Sequence, residues 1–162
     1  MKLDNILGVA LMAAAIVTLP AVAADSNVSP AQGTQGNVSF VSGGVGEDEA
    51  AAMKSAAAGY PLELQFVQKA TPRDEFLADV KVRITDRSKN VVLDTVTTGP
   101  FLLAKLPSGT YQVEADHHGV TKRQTVDIRS GKHQRSVFVW MPSADENRQS
   151  LLEQPDRDTA LR

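Results

Sequence analysis

The chain of 162 residues has no cysteine. Its absence excludes a disulfide framework, a thiolate zinc site, a cysteine nucleophile, haem attachment and a lipid carried on sulfur. An excess of charge is also missing: 17 Lys plus Arg stand against 19 Asp plus Glu, for a formal net charge of −2. That balance supplies no field to draw nucleic acid or an anionic membrane surface. Aromatic residues make up only 5% of the chain and hydrophobic residues 42%, a composition that suits one ordinary domain.

What is present begins with an address. Lys2 precedes an apolar run from Ile6 to Val17, Pro20 breaks the run, and the small residues Ala21, Ala23 and Ala24 follow. The run is about twelve residues long, whereas a helix needs roughly 20 to span a bilayer, so the pattern reads as a secretory signal peptide over residues 1–24. Both Ala21-Val22-Ala23 and Val22-Ala23-Ala24 satisfy the small-x-small rule, so the last residue removed is Ala23 or Ala24. A periplasmic or secreted location is expected, with no membrane insertion after cleavage.

Residues 25–46 carry Ser, Asn, Gln, Gly and Pro among scattered apolar side chains and read as a flexible linker, in which Val38, Phe40 and Val41 leave room for a short edge strand. Residues 47–59 read as a helix that opens on Glu47-Asp48-Glu49 and stops near Gly59. The preceding Gly43-Gly44-Val45-Gly46 invites comparison with a phosphate loop, but three carboxylates already fill the first helical turn and no Gly-Lys-Ser/Thr follows. The acids are read as complements of the helix dipole.

From residue 60 to 142 the period changes to two. Leu62, Leu64 and Phe66 alternate with Glu63 and Gln65, and Val80, Val82 and Ile84 alternate with Lys81, Arg83 and Thr85. Further strands are expected from Val91 to Val96, Phe101 to Leu106, Tyr111 to Asp116, Gln124 to Ile128 and Val137 to Met141. Turn chemistry separates them, including Leu106-Pro107-Ser108-Gly109 and His117-His118-Gly119, with positive φ expected near Asn90, Gly109 and Gly119. About seven strands without intervening helices indicate an antiparallel sandwich or small barrel. The last strand is apolar on both faces, so the Ala50/Met53/Ala57 stripe of the helix is expected to cover Phe138 or Trp140.

Residues 80–139 resemble the carboxypeptidase regulatory-like domain, a transthyretin-like or prealbumin-like β-sandwich. The resemblance rests on the Asp86-x-x-x-Asn90 turn, Thr97-Thr98-Gly99-Pro100-Phe101, Leu106-Pro107-Ser108-Gly109-Thr110-Tyr111 and the Ser130-Gly131-Lys132 turn. It implies a mainly β, immunoglobulin-like Greek-key sandwich and a non-catalytic role in folding, docking or ligand contact. The export signal, helix and sandwich together look like small exported bacterial proteins that contain such a domain.

The candidates for chemistry are the three histidines, His117, His118 and His133. His117 and His118 are adjacent at a hairpin, and adjacent strand residues point to opposite faces, so joint chelation by them is not expected. His133 with one of them would make a weak zinc or copper site, and solvated turn histidines are the preferred reading. No Gly-x-Ser-x-Gly elbow frames Ser108 or Ser136, and Asp74 and Glu75 lie in a polar loop. Lys122, Arg123, Arg129, Lys132 and Arg135 gather on the last two strands, as a basic patch or a solvated face. Residues 143–162 form a polar tail with a short helix expected near Leu151-Leu152.

The sequence therefore describes an exported, non-enzymatic binding or protein-interaction module, with no catalytic residue, no metal and no cofactor assigned. The expected partner is another envelope protein. The alternative is a small metal-binding or enzymatic protein built on His117, His118 and His133. Export predicts that intact-mass measurement of the mature protein finds Ala24 or Asp25 at the N-terminus; a soluble cytoplasmic form that retains Met1 would contradict it.

Overall fold

A computed structural model describes residues 30–142, and the expectations for the signal peptide and the polar tail lie outside those residues. Burial follows the alternation of the sequence. In β5 (Lys81–Thr85) the chain exposes Lys81 and Arg83 while Val82 and Ile84 are fully buried. The same period-two logic shapes β6 (Val91–Val96), β8 (Gly109–His117) and β9 (Val120–Ile128), which make one sheet in the order β6-β5-β8-β9. The other sheet runs β1-β2-β7-β3-β10, with strands β1 (Ala31–Gln35), β2 (Val38–Gly43), β7 (Phe101–Lys105), β3 (Leu62–Gln68) and β10 (Gln134–Trp140). A two-residue strand, β4 (Glu75–Phe76), pairs with the end of β3.

The fold is mainly β, with two sheets and one helix among the described residues. Leu62, Leu64, Phe66, Phe138 and Trp140 from one sheet meet Val82, Ile84, Leu93, Val113 and Val126 from the other in a single buried cluster. The Phe66 and Phe138 rings lie 5.9 Å apart and Phe66 and Trp140 6.4 Å apart, within the range of favourable aromatic contact. At the passage from β7 to β8 the Tyr111 hydroxyl donates to the Pro107 carbonyl at 3.0 Å, which pins the corner where the chain changes sheets. Gly109 does not take positive φ there; a side chain at that position would instead touch the Tyr111 ring at 3.4 Å. In the β5–β6 turn Lys89, not Asn90, has positive φ, and Asn90 donates from its backbone and side-chain amides to the Asp86 carboxylate.

Four expectations require correction. The described residues contain ten strands rather than about seven, because a hairpin and a short strand add to those read from the sequence. The arrangement is not wholly antiparallel, since β10 runs parallel to β3 from Gln134↔Leu62 to Trp140↔Gln68. The stretch expected as a linker over 25–46 is a β1–β2 hairpin from Ala31 to Gly43, and β2 is hydrogen-bonded to β7. Long-range bonds hold it: the Asp94 amide donates to Gln35, and the Thr98 amide and hydroxyl both bond to Ser42.

The fourth correction concerns the helix α1 (Glu47–Ala57). Met53 and Ala57 pack on Val41, Phe101 and Leu103, so α1 covers β2 and β7 rather than Phe138 and Trp140. The reason is positional: β7 is bonded on both sides and apolar on both faces, so its outer face is the surface most in need of cover. Phe138 and Trp140 instead point inward, into the core shared by the sheets. Before the start of α1 the Val45 amide donates to the Glu49 carboxylate at 2.9 Å, which ties the glycine loop to the first turn of the helix. Gly44 has φ +102 and lies where a side chain would meet the Phe101 ring at 2.4 Å, which explains the glycine loop structurally.

Met53 is 1% exposed, so Met53→Asp places a charge without a partner in the smaller core. A loss of about 2–4 kcal/mol in a denaturant titration is expected. An unchanged midpoint would refute the role of α1 as a structural cover.

Candidate functional site

The structure stacks two of the histidines and places the third apart. His117 ends β8, while His118 and Gly119 form the turn to β9 with φ of +50 and +82. Because His118 is in a left-handed conformation rather than in a strand, its ring swings back onto that of His117, with centroids 4.1 Å apart and a 24° tilt. The expectation that the two point to opposite faces is therefore corrected. Stacking still does not make a chelate, because the in-plane lone pairs of parallel rings run side by side and do not converge. Asp116 is engaged by the turn itself, accepting from the Gly119 amide and the Thr121 hydroxyl.

His133 lies at the other end of β10. The His117 ring is 6.0 Å from Trp140, the last residue of that strand, whereas His133 precedes its first residue. Seven residues at about 3.3 Å each put the sites about 20 Å apart. Among the described residues no group of three or more His, Asp or Glu side chains is arranged to hold a metal.

The basic residues of the last two strands are dispersed too. Arg123 pairs with Glu114 and Arg129 with Asp127 on the outer face of the β6-β5-β8-β9 sheet, while Arg135 lies on the outer face of the other sheet against Glu63. Lys122 sits 5.8 Å from the centre of the Trp140 ring. In register across four strands, Asp94, Arg83, Glu114 and Arg123 alternate in sign, and the Arg83–Asp94 pair is 2.8 Å long. Exposed pairs of this kind contribute about 0–1 kcal/mol each and describe a solvated face.

The surface with unusual chemistry is the outer face of β3 and β10, beyond the reach of α1. There the Glu63 side chain is only 9% exposed, and it receives His133 Nε2 at 2.9 Å and Arg135 Nε at 3.3 Å. Nδ1 of His133 is 2.8 Å from the Tyr60 carbonyl. Arg135 also donates to the Gln65 side-chain oxygen. His133 thus ties the turn before β3 to the turn before β10, and the buried Glu63 holds its ring. Glu63 and Gln65 read as solvent-facing positions in the sequence; the missed signal was a strand whose polar alternates require partners if both faces are covered.

Toward the other end of the same face the chemistry becomes apolar. Val137 and Val139 project from β10, Phe76, 61% exposed, lies on the same face across β3, and Met141 after β10 is 75% exposed. β10 is an edge strand, and the alternation of a parallel ladder turns the N–H and C=O groups of Arg135, Val137 and Val139 away from β3. Of these, the Val137 carbonyl accepts from the Gln124 side chain at 2.9 Å. Neither proline nor lysine interrupts the edge, so it lacks two of the usual guards against pairing with another chain.

At the Glu63 end the face opens into a cleft of about 730 Å³, where the turn after α1, the β7–β8 corner and the β9–β10 turn converge. Two carboxylates in a neighbouring depression, which also contains Ser108 and Tyr111, have depressed pKa values. At Asp127 the bond from Arg129 is the largest cause, followed by that from Thr110; at Asp86 the cause is the side-chain and backbone bonds from Asn90. Burial raises the pKa of Tyr111 between them, and the Asp86 charge raises it further. Comparison with known proteins finds no family model and no curated protein that matches the chain.

Folded-state values below the ordinary 3.8 mean that Asp86 and Asp127 stabilise the fold fully above that pH, and that this contribution is lost as pH falls through the lower values. Asp86→Asn with Asp127→Asn should therefore flatten the decline of stability below about pH 3.8 in acid titrations. An unaltered slope would exclude both acids as its source.

Proposed function

We propose that the chain is an exported, non-enzymatic protein-interaction module of the cell envelope, and that β10 is its contact edge. The carrying observation is the combination found there: an edge strand without lysine or proline, whose outward Val137 and Val139 share a face with the exposed Phe76 and Met141. Backbone groups at such an edge give affinity to an incoming extended segment, and alternate side chains give it register. The partner that fits is another envelope protein offering an extended segment with apolar residues at alternate positions.

The architecture supports the domain reading as well. β3 and β5 to β10 are the strands expected from the sequence, and in this reading they compose a seven-stranded Greek-key sandwich of the transthyretin-like kind implied by the resemblance to the carboxypeptidase regulatory-like domain. The β1–β2 hairpin and α1 are then additions that close one side of β7. The leader over residues 1–24 supplies the route to the periplasm or the outside.

Crosslinking in native envelope extracts tests the proposal, with the double variant Val137→Lys/Val139→Lys as the comparison. Lysine on an edge opposes strand addition, and these exposed positions should change stability by no more than about 1 kcal/mol. A stoichiometric partner crosslinked to the wild type and lost from the variant supports the proposal. Equal recovery by both proteins, or none by either, overturns it.

A further inference from the structure

We propose that the 730 Å³ cleft between the end of α1 and the β9–β10 turn binds a small organic carboxylate, one whose charge is carried on a compact apolar or ring-shaped body. The charge follows from the lining. Lys54, Arg129 and Lys132 stand around the cleft, and the one carboxylate in its wall, Glu63, is already held by His133 and Arg135. Arg129 is engaged by Asp127, whereas Lys54 and Lys132 form no ion pair among the described residues. Lys54, in the last turn of α1, and Lys132, in the β9–β10 turn, thus line the cleft from different elements with no carboxylate partner among the described residues. A lone oxyanion would satisfy them.

The body of the ligand follows from what lies between the lysines. Ala58, Pro61 and Pro107 contribute accessible apolar surface to the cleft, over the buried Leu106 and Ile128. Tyr60 forms part of the wall, and Lys105 lies 5.3 Å from its ring centre. A ring or short hydrocarbon gains by covering this surface, which a bare inorganic anion does not do. The volume lies within the roughly 300–1,000 Å³ of sites for small molecules.

The walls are also fixed in advance. His133 bonds to the Tyr60 carbonyl and to Glu63, joining the turn after α1 to the turn before β10. The Lys132 amide bonds to the Arg129 carbonyl at 3.1 Å, and the Tyr111 hydroxyl holds Pro107. Ordering of the walls therefore costs a ligand little.

The test is an NMR titration of the full mature chain with benzoate, benzyl alcohol and inorganic phosphate. Benzoate should produce saturable shifts at the amides of Tyr60, Gly131 and Lys132, with benzyl alcohol and phosphate each at least about tenfold weaker. The variant Lys54→Gln/Lys132→Gln should weaken benzoate binding about tenfold or more while leaving the denaturant midpoint unchanged. Absence of saturation by about 10 mM benzoate would overturn the proposal. So would equal binding of benzyl alcohol or phosphate, or benzoate binding that survives the double substitution. The contact edge at β10 is read out separately by crosslinking, so either proposal can fail alone.

Discussion

Six consecutive residues of β3, Leu62 to Val67, are buried although their sequence alternates apolar and polar. The strand is hydrogen-bonded to β7 and β10 along its sides and has a core on its inner face. Burial of both faces makes Glu63 and Gln65 the costly positions, since a buried carboxylate loses its hydration unless cations and donors replace it. His133 and Arg135 replace it here. Much of the local design depends on that one substitution of partners for water: the entry into β10, its parallel register on β3 and the shape of the cleft beside Tyr60 all pass through it.

The outer face of this sheet is divided. α1 and the β1–β2 hairpin close the side of β7, where Phe101, Leu103 and Val41 require an apolar lid. The side of β10 has a polar end arranged around Glu63 and an apolar end at Val139 and Phe76. A protein concerned only with stability gains nothing from leaving Val137 and Val139 exposed on an edge strand and Phe76 exposed on the same face. That asymmetry is the physical basis for reading β10 as a contact surface and the opposite face, with its ladder of alternating charge, as solvated.

The histidines show how local conformation overrides periodicity. Alternation along a strand separates neighbouring side chains, but His118 belongs to the turn, and its positive φ stacks it on His117. His133 belongs to a different network about a strand's length away. The rival reading of a metal-dependent protein therefore loses the convergence it required. Glu63, which carries the chemistry of the β3–β10 face, was invisible as a site residue because an acid between leucines in a strand resembles any solvent-facing position.

Local pattern was enough to determine the strands β3 and β5 to β10, the helix and most of the turns, because alternation, apolar stripes and turn residues act over a few positions. The sequence also carried the acidic start of α1. Tertiary structure alone decided the hairpin at Ala31–Gly43, whose weakly patterned residues become strands by pairing with β7. It decided that α1 lies on β7 rather than on Phe138 and Trp140, since which apolar face lacks cover depends on the order of strands in the sheet. The parallel pairing of β3 with β10 likewise joins residues about 70 positions apart, as in the contacts of Glu63 with His133 and Gln65 with Arg135. No local propensity encodes such a meeting; it follows from burying both sheets around one core.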